Sequence, residues 1–233
     1  MRAAENPVSK IIMKNKILLI SSLLFSSLSY GQQTPTIGIR AGLVSSNIQG
    51  DLVKTLTGLT DLSNGMVNTS SHTGFFSGIS TTIPVSKSFS VEPGIYYSQK
   101  GYELKGALDI KGIDFLGANA KAVLLSQYID IPILLKANFN GFQVFAGPQL
   151  SYLVKSDLKI SAGALGINLL SKTIDASSQF NSWDAAMTGG VGYQFQNGVN
   201  IAASYDYGLL KIDGNRNANA FNHAIKLGIG FHF

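Results

Sequence analysis

The sequence predicts an all-β protein: an eight-stranded antiparallel transmembrane β-barrel with short periplasmic turns and long extracellular loops. Apolar and polar residues alternate with period two along most of the chain. Only 13% of the residues are charged, whereas 10% are aromatic, and soluble domains carry about a quarter charged residues. The connections between the alternating segments are short and long in turn, as in outer-membrane barrels.

The N-terminal segment has the composition of a targeting sequence. Two lysines within residues 13–16 precede a run of Ile, Leu, Ser and Phe over residues 17–29, and the small residues Ser29 and Gly31 come just before Gln32. We therefore expect an upstream extension and secretory signal peptide over residues 1–31, with the signal starting at Met13. The outer-membrane β-barrel domain is expected over residues 32–233. The apolar run is shorter than the about 20 residues of a membrane-spanning helix.

Eight segments carry the strand pattern. Alternation is clearest over residues 37–44 and 225–233, where one face is apolar and the other is polar or small. Six more strands are predicted near residues 73–83, 88–102, 125–137, 142–154, 183–195 and 199–210. Each has about the 9 to 11 residues, or a little more, that a tilted membrane strand needs.

The connections sort by length along the chain. Tight connections are predicted at residues 84–87, 138–141 and 196–198, and two of them contain the hairpin signal Asn-Gly, at Asn140-Gly141 and Asn197-Gly198. Long connections are predicted around residues 47–72, 103–124, 155–182 and 211–222. This order places both termini and the tight turns on the periplasmic side.

Two local features modify this simple barrel. Alternation continues over residues 158–164, so we expect some strands to extend beyond the membrane as raised hairpins. Pro93, Pro132 and Pro148 fall inside three consecutive strands. Because proline cannot donate to a strand ladder, we expect β-bulges at these positions.

The two faces of the strands have different predicted environments. The apolar parity is expected to face lipid, with interfacial aromatic girdles formed by Tyr97, Tyr128, Tyr152, Trp183, Tyr193 and Phe233. The opposite parity collects charged residues that we expect in the lumen: Arg40, Glu92, Lys100, Asp130, Lys136, Asp184, Asp206 and Lys226. Because side chains fill the interior of so narrow a barrel, we expect these charges to pair across the lumen or to cluster near its mouths, and a buried charge must be paired and hydrogen-bonded. We interpret this set as a structural network of ion pairs; a proton or ion path is the alternative.

Five motifs, in order along the mature chain, resemble the PorT-like outer-membrane β-barrel proteins. They are the segments 91–94 (VEPG) with 97–101 (YSQKG), 131–136 (IPILLK), 146–148 (AGP), 204–209 (SYDYGL) and 226–233 (KLGIGFHF). The resemblance implies an outer-membrane location and this barrel. The namesake of the family is linked to protein secretion across the outer membrane. The resemblance supplies no catalytic residues.

Catalytic and cofactor sites are not expected. His223 could be drawn as a triad with Ser204 and Asp206, but His223 has the opposite parity to the other two, so the three should not meet. The chain has no cysteine, which excludes thiolate chemistry, and no cluster of residues has metal-ligand spacing. The formal charge of +5 falls to +2 without residues 1–31, which does not indicate nucleic-acid binding.

These observations predict a non-enzymatic protein of the outer membrane of a Gram-negative envelope, without cofactor or metal. We expect an envelope or protein-secretion accessory that acts through its loops or periplasmic turns. The alternative is a narrow channel or binding barrel for a small solute. The expected partners are outer-membrane lipid, lipopolysaccharide and an envelope protein, with the barrel itself monomeric.

Overall fold

The computed structural model describes residues 34–50, 67–107, 119–164, 167–212 and 220–233. The predicted leader over residues 1–31 lies outside the described residues, as do the central parts of three long connections, at 51–66, 108–118 and 213–219. Within the described residues, no helix has the length and hydropathy needed to cross a membrane.

The described chain folds into nine strands and one turn of 3-10 helix, Ser177–Gln179. The strands are β1 Thr36–Gly50, β2 Val67–Pro84, β3 Phe89–Ala107, β4 Asn119–Phe139, β5 Phe142–Ala164, β6 Ile167–Asp175, β7 Trp183–Gln194, β8 Val199–Gly208 and β9 Ala220–His232. All eight predicted strands are present, and β6 is an addition to them.

Eight of the strands close into a ring. Each of them pairs antiparallel with both neighbours in the cyclic order β1, β2, β3, β4, β5, β7, β8, β9. Closure matters because an unpaired backbone group in hydrocarbon costs several kcal/mol. The predicted eight-stranded antiparallel barrel is confirmed.

The antiparallel order gives the barrel two different ends. The tight connections at residues 85–88, 140–141 and 195–198 lie at one end, with the start of β1 and the end of β9; we call this the turn end. The opposite end, where β1, β3, β5 and β8 finish, is the loop end. The hairpin signal Asn140-Gly141 forms a turn with φ of 53° and 94°, both positive as a type I′ turn requires.

The strands at the loop end extend past the ring. β5 has 23 residues, and its last part, from Asp157 to Ala164, pairs with β6 on one side and with β4 on the other. The predicted raised hairpin over residues 158–164 is therefore confirmed. We call the extension the raised sheet: residues 67–71, 102–107, 119–127, 155–164 and 167–175.

The prediction of β-bulges at the three prolines is wrong. Pro93 pairs with Ile133, Pro132 with Gln149 and Pro148 with Met187, all in the register of the neighbouring pairs. A proline removes one donor but inserts no extra residue, so the register survives it. The register shifts lie instead between residues 71 and 76, 127 and 128, and 162 and 163, near or within the raised sheet, where strands must bend away from the ring.

The outer surface of the ring is apolar. Exposed large hydrophobic side chains occur on all eight ring strands, including Ile39, Phe75, Ile95, Ile133, Leu150, Val191, Ile201 and Ile229. Aromatic residues mark the two rims, and at the loop end Tyr152 and Trp183 meet edge to face with ring centroids 5.0 Å apart. The prediction that Tyr128 belongs to a girdle is wrong, because its side chain lies in the lumen and is only 2% exposed.

Candidate functional site: the lumen and the loop end

The structure places all eight charged residues of the predicted lumen set inside the ring. Glu92, Lys100, Asp130, Lys136, Asp184, Asp206 and Lys226 are buried, and the side chain of Arg40 is 9% exposed. They do not form one chain of charges. Seven of them divide into two clusters at different heights, and Asp184 stands apart from both.

The first group, the Asp130 cluster, occupies the loop-end half of the lumen. Lys100 Nζ lies 3.1 Å from Asp130 Oδ1, and Lys226 Nζ lies 3.1 Å from Asp130 Oδ2. Two serine hydroxyls also donate to this carboxylate, Ser98 at 2.7 Å and Ser151 at 2.6 Å. The Asp130 carboxylate, which is fully buried, is thereby compensated by two cations and two neutral donors.

Lys226 links this carboxylate to a second one. Its Nζ lies 2.7 Å from Asp206 Oδ2, and Asp206 also accepts hydrogen bonds from Thr188 at 2.8 Å and from Gln149 at 3.3 Å. The cluster therefore contains two lysines and two aspartates and has no net charge.

The second group, the Glu92 cluster, lies toward the turn end. Glu92 pairs with Lys136 and, at 3.4 Å, with Arg40 Nη1, and it accepts a hydrogen bond from Thr82. His232 Nε2 lies 3.8 Å from Glu92, and His232 Nδ1 is 3.0 Å from the amide nitrogen of Asn200. Two cations face one carboxylate here, so this cluster has a net positive charge when His232 is neutral.

An apolar layer separates the two clusters. Phe76, Tyr96, Leu134 and Phe145 point into the lumen, and each is at most 7% exposed. Tyr96 lies between Glu92 and Ser98 along β3, and Leu134 lies between Lys136 and Asp130 along β4. The cavity that remains beside these side chains measures about 40 Å³, which holds a few waters at most.

Asp184 is the exception in the set. Its Oδ2 accepts a hydrogen bond of 2.9 Å from Asn222, and the same amide donates to the hydroxyl of Tyr128. No ion pair with Asp184 occurs among the described residues. A side-chain amide, and not an opposite charge, therefore satisfies Asp184.

Sequence reasoning missed the neutral members of the network. Ser98, Gln149, Ser151, Thr188, Asn200 and His232 all make hydrogen bonds to the charged residues or to one another. Each of them has the lumen parity of its strand. Parity could have found them, because a polar residue facing a narrow lumen must find a partner there.

Ser204, Asp206 and His223 do not come together. His223 lies on the outer face, where its Nδ1 is 3.0 Å from the hydroxyl of Tyr205, whereas Asp206 binds Lys226 inside the ring. Across the part of the chain that the structure describes, no group of three or more His, Asp or Glu side chains is placed to hold a metal ion.

The raised sheet inverts the polarity of the ring. By register, its lumen-side face carries Leu124, Leu158, Ile160 and Ile174, with Lys172 beside them, and its outer face carries charged and hydroxyl side chains such as Lys159 and Thr173. The ammonium of Lys155 on the outer face lies 2.9 Å from Asp157, and this hydrogen bond raises the pKa of Lys155. A polar outer face indicates that this part of the barrel stands in water above the membrane.

A family model described as an outer membrane protein beta-barrel domain matches residues 31–214. A search of curated proteins gives no match.

Solved structures resemble the chain at low sequence identity. One is Ail, the attachment invasion locus protein of Yersinia pestis, in complex with the heparin analogue sucrose octasulfate, at 13% identity and a TM-score of 0.43, covering 86% of this chain and 100% of that one. Neisserial surface protein A has 15% identity and a TM-score of 0.41, with coverage of 86% and 100%. OprG from Pseudomonas aeruginosa has 15% identity and a TM-score of 0.35, with coverage of 87% and 98%.

Proposed function

The chain belongs to the family of outer-membrane protein β-barrel domains and is therefore an outer-membrane protein; from this premise we propose that it is a non-enzymatic envelope or protein-secretion accessory. Its barrel serves as a membrane anchor with a filled interior, and its ends make the contacts. The turn end faces the periplasm and the loop end faces the exterior.

The filled lumen is the observation that carries this proposal. A cation on β9 and a carboxylate on β4 meet at 3.1 Å across the interior, and the apolar layer of Phe76, Tyr96, Leu134 and Phe145 lies below them. A hydrated solute needs a wider and more continuous polar path than a cavity of about 40 Å³ provides. What such a barrel offers to other molecules is its surface.

The outer surface supports a monomeric barrel in contact with lipid. Exposed apolar side chains line all eight ring strands, so hydrocarbon can surround the whole circumference. The proposed partners are outer-membrane lipid and lipopolysaccharide around the ring, and another envelope protein at one of the two ends. The PorT-like resemblance supports secretion as the process served.

Reconstitution of the full chain in planar lipid bilayers tests the proposal. We expect no stepwise conductance from the unsubstituted protein. The matched variant combines Tyr96→Ala with Phe145→Ala, which thins the apolar layer and should allow ion leakage if the layer is the seal. Stepwise conductance from the unsubstituted protein, lost when the lumen is blocked further, would favour a narrow channel over an accessory.

A partner search in intact membranes tests the accessory role directly. Chemical cross-linking in outer membranes, followed by purification of the barrel, should recover one envelope protein in fixed stoichiometry. Recovery of the barrel alone, at every cross-linker length and without conductance, would contradict the accessory role.

A further inference from the structure

The raised sheet ends in a free edge at β6. Among the described residues, β6 pairs with β5 on one side and with no strand on the other. The residues from Ser171 to Asp175 are all exposed. In a paired strand, backbone groups point alternately to the two sides, so about half of the N–H and C=O groups of β6 face outward without a strand partner.

β6 has little protection against pairing with another strand. Natural edge strands are shortened, bent by bulges, interrupted by proline or made highly charged. β6 has nine residues and no proline, and its charged residues are Lys172 and Asp175. Within the ring, by contrast, each of the eight strands is paired on both edges.

The side chains of β6 define what an added strand would meet. On the lumen-side face, Ile174 continues the apolar row of Leu158 and Ile160, and about 40% of the surface of Ile160 and of Ile174 is exposed. Lys172 lies on the same face, and no ion pair of Lys172 occurs among the described residues. A fitting strand therefore has an apolar side chain opposite Ile174 and a carboxylate opposite Lys172.

A second copy of this chain does not meet that requirement. A two-fold symmetric antiparallel pair of β6 strands matches residues of the same parity, because each face of the sheet continues across the symmetry axis. Asp175 has the opposite parity to Lys172, so no symmetric register places it across from Lys172. In every symmetric register the ammonium would face a residue without a carboxylate.

We propose that the free edge of β6 binds an extended segment of another protein by β-strand addition, with a carboxylate of that segment beside Lys172. Backbone hydrogen bonds along β6 supply the affinity, and the alternating apolar and acidic side chains supply the selectivity. This inference rests on the proposed accessory function, since it names how the loop end makes its contact.

Synthetic peptides added to the purified full chain in detergent micelles test the inference. The probe copies residues 155–164, the segment that pairs with β6 on its other side, and carries Ile160→Glu at the position opposite Lys172. One control peptide carries Ile160→Lys, and another carries proline at positions 158 and 160. Fluorescence anisotropy of the labelled peptides measures binding.

We expect the Glu peptide to bind about tenfold more tightly than the Lys peptide, because one pair attracts and the other repels. The proline peptide should not bind, since it cannot complete the ladder. The protein variant Lys172→Glu should reverse the order of the Glu and Lys peptides. Because Lys172 is exposed, this variant should fold as the unsubstituted protein does.

Hydrogen exchange provides the second readout. Without peptide, alternate amides of residues 171–175 should exchange quickly, and the Glu peptide should protect them. If, before peptide is added, all amides of residues 171–175 exchange as slowly as those of β5, another part of the chain covers the edge. This result would overturn the inference. So would the absence of binding at about 1 mM peptide, or an order of binding that Lys172→Glu does not change. Any of these results with a non-conducting barrel leaves the accessory function standing.

Discussion

Lys226 and Asp130 lie on opposite walls of the barrel, yet Lys226 Nζ and Asp130 Oδ2 are 3.1 Å apart. Four strand pairings separate β9 from β4 in either direction around the ring. This ion pair therefore spans the lumen and joins two strands that share no backbone hydrogen bonds. The stability of this ion pair depends on the balance of charge among the side chains around it.

Removing Lys226 should destabilise the barrel strongly. Lys226→Met leaves Asp206 without a cation and leaves Asp130 with Lys100 alone. Breaking one partner of a buried pair costs about 3 to 5 kcal/mol. The urea dependence of folding of the purified chain in lipid vesicles should show this as a lower free energy of unfolding.

The double variant Lys226→Met with Asp206→Asn should recover part of that loss. It restores a neutral cluster around Lys100 and Asp130, and the coupling between the two sites should be about 1 to 3 kcal/mol. Strictly additive effects would contradict the cluster as described. Lys155→Met is the control, because its exposed pair with Asp157 should leave the unfolding midpoint unchanged.

The change of polarity between ring and raised sheet predicts position-dependent effects of one substitution. Ile133→Lys places a charge on the lipid-facing side of β4 and should cost about 2 to 4 kcal/mol. Ser171→Lys places the same charge on the outer face of the raised sheet, where we expect no loss. Folding yield in lipid vesicles, read from heat-modifiable migration on gels, measures both. Equal losses would mean that the raised sheet is also in hydrocarbon.

Side-chain parity made most of this architecture predictable from sequence. Successive side chains of a strand point to opposite faces, so in a barrel every second residue faces lipid and the residues between them face the lumen. The alternation therefore identified the eight ring strands. It also placed Arg40, Glu92, Asp130 and Lys226 in the lumen. The parity of His223 likewise indicated that it would not meet Asp206. These inferences need only local pattern and the costs of burying charge.

Features set by the relation between strands were not predictable in this way. Tyr128 has the same parity as Asp130, which predicts an inward side chain, but its aromatic character favoured a place in a girdle. Inside the lumen, Lys100 Nζ lies over the phenol ring of Tyr128, 4.9 Å from its centroid. The positions of the register shifts depend on where the ring gives way to the raised sheet. Asn197-Gly198 has a positive φ at Gly198 alone, 89°, so the same dipeptide makes a different turn from Asn140-Gly141.

Close approach between β4 and β5 predicts intolerance at one glycine. A Cβ at Gly147 would lie 2.0 Å from the backbone oxygen of Ile133, whereas a Cβ at Gly189 on the neighbouring β7 would meet nothing nearer than 4.0 Å. Gly147→Ala should therefore cost about 1 to 3 kcal/mol through strand displacement. Gly189→Ala should be close to neutral in the same unfolding measurement. Similar losses at both positions would contradict the packing described for this wall.

The uneven charge of the Glu92 cluster predicts unequal effects for two partners of one ion pair. Glu92→Gln leaves Arg40 and Lys136 facing each other without a carboxylate, and should cost about 3 to 5 kcal/mol. Lys136→Met leaves Glu92 paired with Arg40 at 3.4 Å and removes the excess positive charge, so its cost should stay within about 1 to 2 kcal/mol. The free energy of unfolding in urea, measured on both variants in the same vesicles, checks the order. If Lys136→Met proves the more damaging, Arg40 does not compensate Glu92, and the cluster is held by the lysine alone.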